Sequence, residues 1–228
     1  MPPRKRTPDS GYAGDDRCEA LFDLLSERLA AHDKAGAVAA AVAAVGDGEI
    51  SIDQLYRDVL APLLAGAGER WQKGELRVWE EHVASAAART IIESLYDDVQ
   101  RARASWPPIG RTVVLACPPD ETHDLGLRML ADRFEMVGWT AVYLGPDTPL
   151  AEIIAAARDV AADLVCLSAS THFHRLNLRE VYDTLRAQLP GVGIAVGGPA
   201  FARERDGWSP DEVADVERLL ESGGDAGG

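Results

Sequence analysis

A chain of 228 residues, 46% hydrophobic and 26% charged, is long enough for one large or two small domains, each with its own core. A formal net charge of -14 repels a phosphate backbone and argues against direct DNA or RNA binding by the folded part. No apolar run is long enough to span a bilayer, and the N-terminus lacks the apolar stretch of a secretion signal. Three widely spaced cysteines form no CxxC pair, and Cys117 and Cys166 sit in apolar runs, so a cytoplasmic protein with reduced, buried thiols is expected.

Residues 1–16 hold proline, glycine and charge without periodicity, including Arg4-Lys5-Arg6, and are expected to form a disordered tail. Residues 17–104 read as a helical bundle. Leu21, Leu24, Leu25 and Leu29 form an apolar stripe at helical spacing, and Asp33 can cap an Ala-rich second helix that stops at Gly46-Asp47-Gly48. Ser51 and Gln54 make a capping-box pattern for a third helix through Leu55, Val59, Leu63 and Leu64, which Pro62 could bend or end. After Gly74 a fourth helix runs through Val78, Val83, Ala87, Ile91, Leu95 and Val99.

The segment SWPPIG, 105–110, cannot continue a helix and marks a domain boundary. Beyond it the period changes. The runs 113–117, 140–144, 164–167 and 192–196 are short and wholly apolar, and helical stretches 123–137, 150–161 and 175–189 separate them. Such alternation predicts a parallel sheet covered by helices over 111–228. A fifth strand is not obvious; if present it is short or irregular near 200–208, ahead of a capped helix in SPDEVADVERLLES. The fold class is therefore α/β, a four-helix bundle followed by a Rossmann- or flavodoxin-like parallel-sheet domain.

Ligands of such sheets bind beyond the carboxyl ends of the strands. There the sequence places Glu121-Thr122-His123-Asp124-Leu125-Gly126 after the first strand, Ser168-Ala169-Ser170 after the third and Gly197-Gly198 after the fourth. Singly each has a simpler explanation: a loop histidine is usually a surface residue, a strand-end serine a helix cap, a Gly-Gly pair a turn. Together their spacing is distinctive. Gly126 is followed by 41 residues and then Ser168, and Ser170 by 26 residues and then Gly197.

In this arrangement the chain resembles the cobalamin-binding domain family, whose pattern is an acidic residue-x-His-x-x-Gly, then Ser-x-Leu, then Gly-Gly. The resemblance covers roughly 111–200, with Ser170 where leucine is usual. It implies that His123 is the lower ligand of cobalt, with Glu121 as acceptor for its other ring nitrogen. It also implies that Gly126, Ser168, Ser170, Gly197 and Gly198 leave room for the displaced nucleotide tail.

Upstream, Trp71 is followed by nine residues and then Glu81-His82. Alone, these read as a helix-end aromatic and a solvated helix face. The spacing is similar to that of light-responsive, adenosylcobalamin-binding regulators of carotenoid synthesis, in which the tryptophan packs on the upper adenosyl group and the Glu-His pair lines the same cavity. The resemblance assigns Trp71, Glu81 and His82 to such a cap. In those regulators a histidine follows the tryptophan and captures cobalt after light breaks the carbon-cobalt bond, whereas this chain has Gln72. They also begin with a helix-turn-helix domain; only a short tail precedes the first helix here, so no DNA reader is expected.

The leading expectation is a stand-alone cobalamin sensor that signals through a regulatory partner or its own assembly. A corrinoid carrier subunit in methyl transfer is the second, and a light sensor holding another tetrapyrrole, such as a bilin, the third. An enzyme acting alone is not expected, since no phosphate loop, nucleophile-base arrangement or HExxH motif is present. His172 and His174 follow the third strand; an i, i+2 pair reads as loop polarity, and both are left outside the metal shell.

Overall fold

The computed structural model describes residues 15–201 and 207–221. The expected tail, 1–16, lies outside them except for Asp15 and Asp16, which open the first helix. The chain divides into two compact units at Ile91/Ile92, upstream of the SWPPIG segment.

In the first unit α1 (Asp15–Ala30) packs against α2 (Lys34–Gly46). Asp33 caps α2 by accepting from the Gly36 N–H at 2.8 Å. The Ser51 capping box forms with both bonds in place and opens α3 (Ile52–Gln54). The third helix neither ends nor breaks at Pro62. It widens into a π-helical turn over Leu55–Leu60 and resumes as α4 (Ala61–Gln72), with the Ala61 N–H reaching back to the Tyr56 carbonyl. The wider turn falls just ahead of the residue that has no N–H to donate, so the helix continues past the proline. Leu55, Tyr56, Val59 and Leu60, all in the π turn, are buried to 2% exposure or less. The single helix expected after Gly74 is two: α5 (Val78–Ser94), which runs through the division at Ile91/Ile92, and α6 (Tyr96–Ala104), which belongs to the second unit, separated by Leu95 at φ -93°, ψ 6°. Leu95 is fully buried and its N–H turns to the Ile92 carbonyl.

In the second unit four strands, β1 (Thr112–Ala116), β2 (Thr140–Gly145), β3 (Leu164–Ser168) and β4 (Gly193–Gly197), form a parallel sheet in the order β2-β1-β3-β4. Alternate residues face opposite layers, as strand geometry requires. Val114, Ala116, Val165, Leu167, Ile194 and Val196 pack with α8 (Leu150–Asp159) and α9 (His172–Gln188). Val113, Leu115, Cys117, Leu164, Cys166 and Ala195 pack with α7 (Leu125–Met136), Trp139 and Leu219. Burial of both faces explains why the strands read as unbroken apolar runs.

The expected fifth strand near 200–208 falls largely on residues outside the described set. Strand-like pairing occurs instead at Val213, which forms an isolated parallel bridge with Val196. Recruiting Val213 to the sheet edge shortens the helix expected from Ser209 onward, so that α10 spans only Val216–Glu221. Arg179 of α9 secures this return: its guanidinium lies 3.7 Å over the Trp208 ring and donates to both Glu212 oxygens at 2.9 and 3.1 Å.

Candidate functional site

The strand order reverses on either side of β1 and β3, and a crevice at such a switch point is where ligands of open α/β sheets sit. Two loops meet there. The β1 loop carries Glu121 and His123; the β3 loop carries Ser170 and leads into α9.

Glu121 is the centre of the site. It is fully buried, and both carboxylate oxygens accept hydrogen bonds. Oε1 receives the His123 backbone N–H at 2.9 Å and its Nδ1–H at 2.7 Å. Oε2 receives the Ser170 N–H and O–H, both at 2.7 Å. Burial alone would raise the carboxyl's pKa, but the hydrogen bonds from His123 and Ser170 outweigh it and hold the pKa at about 2. Glu121 is therefore an anion at any neutral pH.

An anionic acceptor on Nδ1 fixes the His123 tautomer with its proton at Nδ1 and the lone pair of a neutral ring at Nε2. The side chain of His123 is 65% exposed. The site thus presents an oriented imidazole whose basicity is raised from behind, the arrangement found for metal-bound histidines.

The structure adds a residue that was left outside the metal shell. Thr171 caps α9 by accepting from the His174 N–H at 3.2 Å, so the helix begins at His172 rather than 175. That cap puts His174 in the first turn, with Nδ1 2.8 Å from Glu121 Oε2. Glu121, His123 and His174 form a cluster whose donor atoms lie within 4.8 Å of one another. Because both oxygens of Glu121 are already engaged by N–H and O–H donors, the cluster is a hydrogen-bonded assembly built around one carboxylate. His172 turns elsewhere, with Nδ1 2.9 Å from a guanidinium nitrogen of the buried Arg175.

The small residues separate into two kinds. Ser168 pairs in register with Gly197 on adjacent strands, and the Ala169 N–H donates to the Gly197 carbonyl at 2.9 Å. Gly198 has φ +101°, and a Cβ there would lie 2.5 Å from the Ala169 carbonyl oxygen and 2.7 Å from Ser168 Oγ. Glycine at 198 is thus demanded by the close approach of the β3 end. Gly126, in the first turn of α7, is exposed, and a Cβ there would meet nothing within 4 Å. Only this glycine of the set opens directly onto empty space.

Trp71, Glu81 and His82 lie in the first unit. Trp71, near the end of α4, is 47% exposed. Glu81 and His82 occupy the first turn and a half of α5; Glu81 Oε1 accepts from the Ser85 hydroxyl at 2.6 Å, and His82 Nε2 is 3.7 Å from Glu81 Oε2. Among the described residues no helix is long and apolar enough to cross a membrane.

A family model described as a B12 binding domain matches residues 111–218, and a second of the same description matches residues 21–96. The HTH-type transcriptional repressor CarH of Myxococcus xanthus is 34% identical over 148 residues, 64% of this chain and 47% of that protein. The repressor CarA of the same organism is 36% identical over 144 residues, 61% of this chain and 45% of its own length. The chain thus spans about half the length of these relatives. Trimethylamine corrinoid protein 1 of Methanosarcina mazei is 23% identical over 200 residues, 87% of each chain. The monomethylamine corrinoid protein of Methanosarcina barkeri shares the fold, with a TM-score of 0.72 over 90% of this chain and 97% of that one at 17% identity. With both its helical and its α/β segment matched, this chain belongs to the cobalamin-binding domain family.

Proposed function

We propose that the chain is a cobalamin sensor in which His123 is the lower ligand of cobalt and Trp71, Glu81 and His82 surround the upper ligand. The observation that carries the lower half of this reading is the exposed His123 imidazole, backed at Nδ1 by a buried anion. Its donor chemistry fits a cobalt corrin, which needs one axial nitrogen from the protein. Open space beside Gly126 fits the entry of a nucleotide tail alongside α7.

Adenosylcobalamin, the form this reading assigns, supplies a light-labile carbon-cobalt bond when bound. The chain's own residues would do the rest. Glu121 holds His123 in the ligating tautomer, and Ser170 holds Glu121. The broad apolar face of Trp71 excludes water from an adenine or a bare corrin, and Glu81 is an acceptor for ribose hydroxyls. Gln72, at the end of α4, carries an amide that is a poor cobalt ligand, so any state after light would differ from that of a relative with histidine there. A change in the upper ligand then biases the helical unit between two states, which a regulatory partner or a second copy of the chain reads.

A carrier subunit for methyl transfer is the second reading, favoured by the even coverage shared with the trimethylamine corrinoid protein. The two separate on anaerobic reconstitution with adenosylcobalamin in the dark, followed by spectra and size-exclusion profiles before and after green light. A sensor changes assembly or shape on illumination; uptake without such a change favours the carrier. No uptake removes both. His123→Ala should abolish histidine ligation, and an unchanged cobalt spectrum would show that the lower ligand lies elsewhere.

A further inference from the structure

From Ala35 to Gly46 the helix α2 carries only alanine, valine and glycine, with no charged or hydrogen-bonding side chain. Ala37, Ala41 and Ala44 are buried and form its inward face. The outward face of a surface helix is ordinarily polar. Here it is apolar: Ala35, Ala39, Ala43 and Gly46 are exposed, and Val38 and Val42 are half-buried. The neighbouring α1 follows the ordinary rule, with Asp16, Glu19, Asp23 and Glu27 exposed. Alanine suits an exposed helix position on propensity alone, but valine is a weaker helix former and gains its place by packing.

The outward residues Ala35, Ala39, Val42 and Gly46 are spaced i, i+4, i+7, i+11 and so lie along one ridge. That ridge is complementary to itself when two copies of α2 run antiparallel about a two-fold axis level with Ala40 and Ala41. Ala39 then stands opposite Val42 of the second copy, small against large, and Ala35 opposite Gly46, where the backbones approach most closely. The charges at the two ends of α2 agree with this direction. At the start, Arg28 and Asp33 neutralise one another at 2.6 Å, so the exposed Lys34 sets the sign. At the end, Asp47 and Glu49 are exposed, and a guanidinium nitrogen of Arg17 lies 3.2 Å from the Glu49 carbonyl oxygen, which leaves one negative charge over. Antiparallel pairing sets each Lys34 end level with the Asp47 end of the other copy; parallel pairing would bring like ends together.

We propose that the outward face of α2 is a docking surface for a second copy of this chain, seated antiparallel across a two-fold axis. The interface lies in the first unit and does not depend on what the second unit binds. It gives the assembly that a sensor could use a specific address. Three helical turns are less than a standard interface buries, so the dimer belongs to the weak, reversible class.

Sedimentation velocity on the cofactor-free full chain, from about 5 to about 300 μM, tests it: the chain should shift reversibly from monomer to dimer over that range. A monomer throughout overturns the proposal, because something other than a second copy then covers the face. Ala39→Glu keeps a good helix former but puts a charge on the ridge opposite Val42, and should raise the dissociation constant at least about tenfold with an unchanged circular dichroism spectrum. A dimer indifferent to it uses another surface and also overturns the proposal.

Direction and register are read by cross-linking single cysteines with a bismaleimide of about 8 Å. Antiparallel pairing offsets two copies of position 39 by about 4.5 Å along the axis and two copies of position 35 by about 16 Å, at 1.5 Å per residue. Ala39→Cys should therefore cross-link at least about tenfold faster than Ala35→Cys, with the native chain, whose three cysteines are buried, as the blank. Equal rates at the two positions refute the antiparallel arrangement. Lys34→Glu should weaken the dimer at low salt and Lys34→Glu with Asp47→Lys should restore it; a double variant no tighter than the single one removes the charge pairing on which the direction rests. A chain that dimerises but takes up no cobalamin leaves this interface standing, and a monomer that takes it up leaves the cofactor assignment standing.

Discussion

Replacing Gly198 by alanine tests the most demanding contact of the second unit. The residue follows β4 with φ +101°, a region that L side chains rarely adopt, and holding one there costs about 1–3 kcal/mol. The added methyl would stand 2.5 Å from the Ala169 oxygen, 2.7 Å from Ser168 Oγ and 3.0 Å from the Ala169 nitrogen. Ser168 can rotate its hydroxyl, but the Ala169 peptide is tied on both sides. Its N–H donates to the Gly197 carbonyl at 2.9 Å, and its carbonyl accepts from the Ala200 N–H at 3.1 Å. Forcing that overlap costs a further 1–3 kcal/mol or so. The expected loss is about 4 kcal/mol, a large share of the roughly 5–15 kcal/mol that holds a typical domain together. Urea unfolding followed by far-UV circular dichroism measures it, and amide exchange at Ala169 and Ala200 should accelerate in parallel. A loss under about 1 kcal/mol with native exchange rates would refute the argument, because the β3 and β4 ends would then have slack that the distances deny.

Gly126→Ala should behave in the opposite way: stability holds or rises by about 0.5–1 kcal/mol, as for alanine replacing glycine in a helix, while adenosylcobalamin affinity falls at least about tenfold. Unchanged affinity by equilibrium titration would remove this residue from the binding surface. Glu121→Gln should destabilise the cofactor-free chain by about 3 kcal/mol at neutral pH, the equivalent of lowering a carboxyl from 4.5 to about 2. Because the folded pKa lies below the unfolded one, that stabilisation is complete above about pH 4.5 and is lost as pH falls through about 2; a gap between native and variant that persists in strong acid would contradict the assignment. Arg179→Ala removes the cation over Trp208 and the fork on Glu212, and should destabilise by about 1–3 kcal/mol. Its mark is local: the Ala214 N–H, bonded to the Val196 carbonyl at 2.7 Å, should lose exchange protection while β1 amides keep theirs.

The strands and the loops that follow them were legible because burial on both faces writes itself as unbroken apolar runs bounded by turn residues. The Glu121-His123-Ser170 group was legible because the loops after two neighbouring parallel strands, β1 and β3, must leave the same edge of the sheet. His174 was not, since its place depends on where α9 starts, and Thr171 moves that start three residues upstream of the apolar periodicity. The break at Leu95 carries no glycine or proline to announce it; a buried leucine there is equally consistent with an unbroken helix. Pro62 pointed to an interruption, and a widened turn ahead of it absorbed the missing donor instead. Val213 reads as part of a helix and is taken by the sheet edge, a tertiary choice that local pattern does not encode.

The β1 loop is stitched to the loop after β2 before any ligand arrives. The Asp147 N–H donates to the Glu121 carbonyl at 2.9 Å, the Asp120 N–H to Asp147 Oδ1 at 2.9 Å, and the Thr148 N–H to the Cys117 carbonyl at 2.9 Å. Asp120 and Asp147 both sit at positive φ, at 69° and 48°, held there by these cross-links. A cofactor docking on this loop meets a surface whose ordering entropy was spent during folding, so capture should proceed at the pace of encounter with little local rearrangement. Loosening a remote aspartate in the neighbouring turn would then slow association while leaving every ligating atom in place.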